Sequence, residues 1–133
     1  MKRALVFGFV VVFGVLVAFE DARAQIATLA LSPSSSTIAV GDWVQVRVAG
    51  SGFQNGTDGG DFSLSWTPGL SFVGLTIESA PWDVSAVDAS NAANGSIASA
   101  DVFASTGTPG AGGASIPIAR LTLKATAAGP ASV

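Results

Sequence analysis

The chain has 133 residues, 49% hydrophobic and 11% charged, with a formal net charge of −3. It contains no Cys, no His and no Tyr, which removes disulfide staples, the commonest zinc and copper ligands, and the usual catalytic bases and thiol nucleophiles. No triad or metal-assisted hydrolysis can be assembled in the ordinary ways from what is left.

The first 24 residues read as a secretory signal. Lys2 and Arg3 form a positive n-region, Ala4 to Phe19 is an apolar h-region, and Ala22-Arg23-Ala24 carries small residues where a signal peptidase reads. The apolar run of 16 residues is short of the roughly 20 that a membrane span needs. Cleavage after Ala24 leaves Gln25 as the first residue of a single domain over 25–133, secreted or held at the cell surface, with membrane contact only through the signal. That domain keeps three bases (Arg47, Arg120, Lys124) and seven acids (Asp42, Asp58, Asp61, Glu78, Asp83, Asp88, Asp101), a net charge of −4. Three bases so far apart in sequence predict no basic patch, and so neither nucleic acid nor anionic lipid is expected as a partner.

Taken in chain order, the domain is a series of short strands. Ile26 to Leu31 reads as the first, followed by a turn over Ser32-Pro33-Ser34-Ser35-Ser36. Ile38-Ala39-Val40 leads into the Gly41-Asp42 turn. Trp43 to Val48 alternates, with Val44, Val46 and Val48 toward a core and Trp43, Gln45 and Arg47 outward. Gly50 to Gly60 is loop, with Asn55-Gly56 and Asp58-Gly59-Gly60 suited to tight turns. Asp61 to Trp66 alternates again, placing Phe62, Leu64 and Trp66 inward and Asp61, Ser63 and Ser65 outward, until Pro68-Gly69 breaks the strand. Ser71 to Ile77 follows with Val73, Leu75 and Ile77 on one side. Trp82 to Val87 is a short strand, Asp88 to Gly95 a polar loop ending in Asn94-Gly95, and Ile97 to Ala104 a strand weakened by alanine. The Gly-rich stretch Thr106 to Ser115 is loop. Ile116 to Ala125 is the last clear strand, with Ala119, Leu121, Leu123 and Ala125 inward and Ile118, Arg120, Thr122 and Lys124 outward. Seven or eight short strands with Gly-rich turns predict an all-β sandwich or jelly roll. The run Ala127-Ala128-Gly129-Pro130-Ala131-Ser132-Val133 looks like a turn entering one more strand, so the sandwich is expected to lack its last strand and to expose an unpaired edge.

Three segments carry a resemblance. Val40-Gly41-Asp42 with its following valines resembles an x-G-D-x-V-x-V strand. Asp61-Phe62-Ser63-Leu64-Ser65-Trp66-Thr67-Pro68-Gly69-Leu70-Ser71-Phe72-Val73 resembles D-F-x-Φ-x-Y/F-D-P-x-Φ-L, with Φ apolar. Ile118-Ala119-Arg120-Leu121-Thr122-Leu123-Lys124-Ala125 with Gly129 resembles a late I-A-x-Φ-x-F-K-A…G strand. In that order these resemble the cohesin domain and its relatives in the carbohydrate-binding-domain-like superfamily. Thr67 departs from the pattern, which usually has Asp before this proline. The resemblance implies a jelly-roll sandwich that binds polysaccharide or holds a dockerin-like module. It also implies a flat partner face built from the outward positions Asp61, Ser63, Ser65, Arg120 and Thr122.

The residues themselves add two carbohydrate candidates, Trp43 and Trp82, because the C–H faces of sugar rings pack on flat aromatics. Trp66 continues the Phe62-Leu64 face and reads as core. Asp58, Asp61, Asp88 and Asn91 are oxygen donors of the kind Ca²⁺ takes, but no spacing matches a dedicated loop such as D-x-D-x-D-G, so no metal site or other cofactor is assigned. Asn55-Gly56-Thr57 and Asn94-Gly95-Ser96 have the form of glycosylation sequons and read as Asn-Gly turns. Glycoside hydrolysis needs two carboxyls at a set separation, and five of the seven acids lie in or beside expected loops and turns. No catalytic residue is assigned. The function expected is a secreted, non-catalytic module for polysaccharide binding or partner docking. The alternative is a structural or adhesive surface domain with no ligand site of its own.

Overall fold

A computed structural model of the chain describes residues 4–7, 28–52, 59–105 and 115–133. Ten strands are present in them: β1 (Ala4–Phe7), β2 (Thr28–Pro33), β3 (Thr37–Ala39), β4 (Trp43–Ser51), β5 (Gly59–Ser65), β6 (Leu70–Ile77), β7 (Val84–Asp88), β8 (Ser96–Phe103), β9 (Ile116–Ala125) and β10 (Pro130–Ala131), with one 3₁₀ turn at Ala92–Asn94. Two antiparallel sheets, in the orders β2-β4-β9-β6 and β5-β8-β7, make the all-β sandwich that the strand periodicity predicts. A small third sheet, β10-β1-β3, lies alongside. No helix among the described residues is long and apolar enough to cross a membrane.

The core follows from the alternation. Val44, Val46 and Val48 point inward from β4, and Ala119, Leu121, Leu123 and Ala125 from β9, all nearly inaccessible to solvent. They meet Phe62, Leu64 and Trp66 from β5 and its continuation, and Ile97, Ala100 and Val102 from β8. Trp66 stacks on Phe72 across the sandwich, with ring centroids 5.9 Å apart. Pro33 falls within β2, an edge strand, where a proline's missing N–H breaks no central ladder.

Three irregularities interrupt the ladders: one lies between Phe62 and Leu64, opposite Ala100 and Ile97 of β8, and the other two overturn the expected alternation. Phe72 pairs with Leu123 but Gly74 with Thr122, which leaves Val73 as an extra residue. Val73 is therefore 44% exposed, while Phe72, Leu75 and Ile77 pack on the core. The expectation that Val73 shares a face with Leu75 and Ile77 is corrected. Likewise Val48 pairs with Ala119 but Ala49 with Pro117, so Ile118 is the added residue of β9. It turns inward with Ile116 and is buried, where strict alternation places it outward. The strand boundaries move too. Gly50 and Ser51 belong to β4 and Gly59 and Gly60 to β5, since their backbones complete the ladders beside them. The Gly-rich turns expected at 53–58 and 106–114 lie outside the described residues.

The two ends of the chain meet in the small sheet. Of the segment read as a signal, Ala4–Phe7 runs antiparallel to β3 and parallel to β10. Just beyond β10, Ser132 and Thr67 exchange bonds. The Thr67 N–H donates to the Ser132 carbonyl at 3.1 Å, and the Ser132 N–H donates to Thr67 Oγ1 at 3.0 Å. The residue that departs from the cohesin-like pattern thus anchors the C-terminal segment beside the end of β5.

Candidate functional site

The outer face of the β2-β4-β9-β6 sheet is built in rows. Because β4 alternates, Trp43, Gln45 and Arg47 all point away from the core and are exposed. The ladder to β9 sets Trp43 opposite Lys124, Gln45 opposite Thr122 and Arg47 opposite Arg120. The ladder from β9 to β6 continues the rows to Ser71, Gly74 and Thr76, and β2 adds Ser32 beside Arg47. Strands lie about 4.8 Å apart and alternate residues about 6.6 Å apart along each, so the outward side chains are close-set. Trp43 is the most exposed large apolar residue described, at 65%. Gly74 carries no side chain to stand above the rows, and nothing within 4 Å fills the space its Cβ would take.

The electrostatics of the face centre on Arg120. Its Nε donates to Glu78 Oε1 at 2.5 Å, the only ion pair among the described residues. The hydrogen bond from Arg120 holds the Glu78 carboxyl below its usual range. Desolvation opposes this more strongly than either cation's field adds to it, and the fields of Arg120 and then Arg47 pull the same way as the hydrogen bond. Glu78 in turn raises Arg120. Arg47 faces Arg120 directly across the ladder, and two like charges in that position repel.

The structure divides the predicted partner face. Asp61, Ser63 and Ser65 are exposed on β5, while Arg120 and Thr122 stand on β9, in the other sheet. The expectation that these five form one surface is corrected. Period-2 patterning tells which side of its own sheet a residue takes, but not which sheet it belongs to. On the β5-β8-β7 face, Asp61 pairs in register with Asp101, whose Oδ1 accepts a bond from Ser99 Oγ at 3.4 Å. Beside them Phe103 and Val84 form an exposed cross-strand pair.

The two candidate tryptophans also part company. Trp43 is open to solvent, as its outward register requires. Trp82 is 3% exposed, and its Nε1 donates to the Pro117 carbonyl at 2.9 Å. Its assignment as a carbohydrate platform is corrected: the ring sits in the core with its one polar atom satisfied, and no ring face is free. Among the Ca²⁺ candidates, Asp88 Oδ1 accepts from the Ser90 N–H at 3.0 Å, which caps a turn. No three His, Cys, Asp or Glu side chains converge among the described residues, and Asp58 lies outside them.

Sequence reasoning placed Gln45, Arg47 and Lys124 outward without assigning them to a site, and it missed Glu78. The period of the strands carried the first three. Nothing local joins Glu78 to Arg120, because they are 42 residues apart and meet only through the β6–β9 pairing. Comparison with protein-family models, with curated proteins and with solved structures finds no match for this chain.

Proposed function

We propose that this protein is a secreted, non-catalytic module that binds polysaccharide on the outer face of β4 and β9, with Trp43 as the stacking platform. The observation that carries this reading is the exposure of Trp43 on the outer sheet face, with the hydrogen-bonding residues Lys124 and Ser71 in its row and Gln45 and Thr122 in the next. At 65% exposure the Trp43 ring is open to contact from solvent. A ring face flanked by short polar groups suits a sugar, whose C–H face packs on the indole while its hydroxyls reach the neighbours. The sequence resemblance to the carbohydrate-binding-domain-like superfamily supports the same reading.

The test is retention on insoluble or gel-borne polysaccharides. The protein is expected to bind, and Trp43→Ala is expected to weaken binding by about 2 kcal/mol or more, as loss of a central aromatic anchor does. Its melting temperature should stay that of the parent, because an exposed side chain contributes within about 0.5 kcal/mol to stability. Binding unchanged in Trp43→Ala would overturn the platform.

A second reading, docking of a dockerin-like module, uses the opposite face. It is favoured by the exposed Phe103–Val84 pair in the same sheet face as Asp61 and Asp101. Asp61→Ala should then weaken such a complex while Trp43→Ala leaves it intact.

A further inference from the structure

Arg47, Arg120 and Lys124, the three bases of residues 25–133, all stand exposed on β4 and β9, on the face that carries Trp43. Among the described residues only one carboxylate, Glu78, meets them there, with Asp42 at the rim where the chain turns into β4. The other described acids, Asp61, Asp101, Asp83 and Asp88, belong to β5, β8 and the ends of β7. The expectation of scattered bases and no basic patch is therefore corrected. A domain with an overall negative charge presents a local cationic face. The placement also carries an electrostatic cost, since Arg47 and Arg120 oppose each other directly and Glu78 bonds only Arg120.

From this we infer that the ligand of the Trp43 face is an acidic polysaccharide, one whose sugar rings bear carboxylate or sulfate groups. The inference rests on the polysaccharide reading above and names the class of sugar. Lys124 is the register partner of Trp43, so a ring stacked on the indole brings its substituents within about 5 Å of the position from which the ammonium extends. Arg47 is four residues along the same strand on the same face, about 13 Å from Trp43, where its guanidinium can take a second anionic group with two parallel bonds. Arg120 is held by Glu78 and is less available. A chain lying along β4 thus meets an aromatic platform, a neutral amide in Gln45 and a cation at each end. Double-stranded nucleic acid does not match this layout. It carries a charge about every 1.7 Å, far denser than three cations can answer, whereas an acidic polysaccharide spaces its charges by whole rings and adds stacking on Trp43.

Affinity electrophoresis of the purified protein tests this, in gels holding polygalacturonate, dextran sulfate, uncharged hydroxyethylcellulose or polyglutamate. Retardation by polygalacturonate, by dextran sulfate or by both is expected, with the two gels reporting which anion is read. Lys124→Gln and Arg47→Gln should each weaken binding about threefold. Glu78→Gln, which frees Arg120, should strengthen it. Raising the salt from about 0.05 M to 0.5 M should weaken it strongly, since the screening length falls well below 10 Å. Trp43→Ala should abolish it at all salt concentrations. Equal retardation by hydroxyethylcellulose, indifferent to the charge variants, would overturn the acidic class while leaving the polysaccharide reading standing. Retardation by polyglutamate that survives Trp43→Ala would overturn it as mere charge adsorption. Retardation in none of the four gels would overturn the underlying polysaccharide reading itself. Melting temperatures within a degree or two of the parent show that each variant is folded.

Discussion

Gly95 closes the Ala92–Asn94 turn with a φ of 88°, and a Cβ there would stand 2.9 Å from the Trp66 carbonyl oxygen, a backbone atom with little room to move. The Trp66 N–H donates to the Gly95 carbonyl at 2.9 Å, so the same residue fixes the end of β5. Gly95→Ala is expected to lower stability by about 1–3 kcal/mol, read from the urea midpoint. A change under about 0.5 kcal/mol would show that the turn relaxes freely. Asp83 acts at a comparable junction. Its Oδ1 accepts from the Ser105 N–H at 2.7 Å and its Oδ2 from the Ser105 hydroxyl, tying the start of β7 to the end of β8. The side-chain bond from Ser105, with the backbone bond after it, holds the Asp83 carboxyl below its ordinary value of 3.8. Asp88 is lowered from 3.8 by Ser90, and Glu78 from 4.5 by Arg120. Because each group binds its proton less tightly folded than unfolded, its contribution is fully present above the ordinary value and is lost as pH falls through the lower, folded one. The melting temperature should therefore hold steady above pH 5 or so and decline below about pH 4. Asp83→Asn should melt lower than the parent at pH 7 and decline less steeply on acidification.

At the scale of the strands, alternation was read correctly wherever a strand runs without a bulge. Val44, Val46 and Val48 and the Leu121–Leu123 pair are buried as their spacing predicts. The errors at Val73 and Ile118 both sit where one strand carries an extra residue, and such a residue leaves no mark in a polarity pattern. The consequence is measurable. Val73→Thr should change stability by no more than about 0.5 kcal/mol, while Leu121→Ala, in the central strand of its sheet and wholly buried, should cost about 2–5 kcal/mol. Chemical denaturation of the two variants checks the bulge. A large loss for Val73→Thr would mean that the residue faces the core and that the strand is in simple register. Trp82 teaches the same lesson from outside a ladder. It follows Ala80-Pro81 rather than lying within a periodic strand, so the sequence had no phase from which to place its ring.

At the scale of the whole molecule, β1 joins the two themes of address and fold. Cleavage after Ala24, as the signal reading proposes, would take Ala4–Phe7 from between β3 and β10 and leave each with a bare edge. Mass analysis of the exported protein is expected to find a chain beginning at Gln25. In that chain the amides of Thr37–Ala39 should exchange faster than in the uncleaved protein, and an exported chain still carrying Met1 would contradict the signal. The amino-acid sequence by itself determined the all-β class, the core valines and leucines of β4 and β9, and the outward setting of Trp43, because these depend on a two-residue period and on composition, both local. Only the tertiary structure decided which strands share a sheet. That choice separated Asp61, Ser63 and Ser65 from Arg120 and Thr122, sank Trp82 into the core, and set Arg47, Arg120 and Lys124 on the sheet face that carries Trp43. Strand pairing is a long-range event, settled by which apolar faces bury one another across dozens of residues, and no local spacing records it.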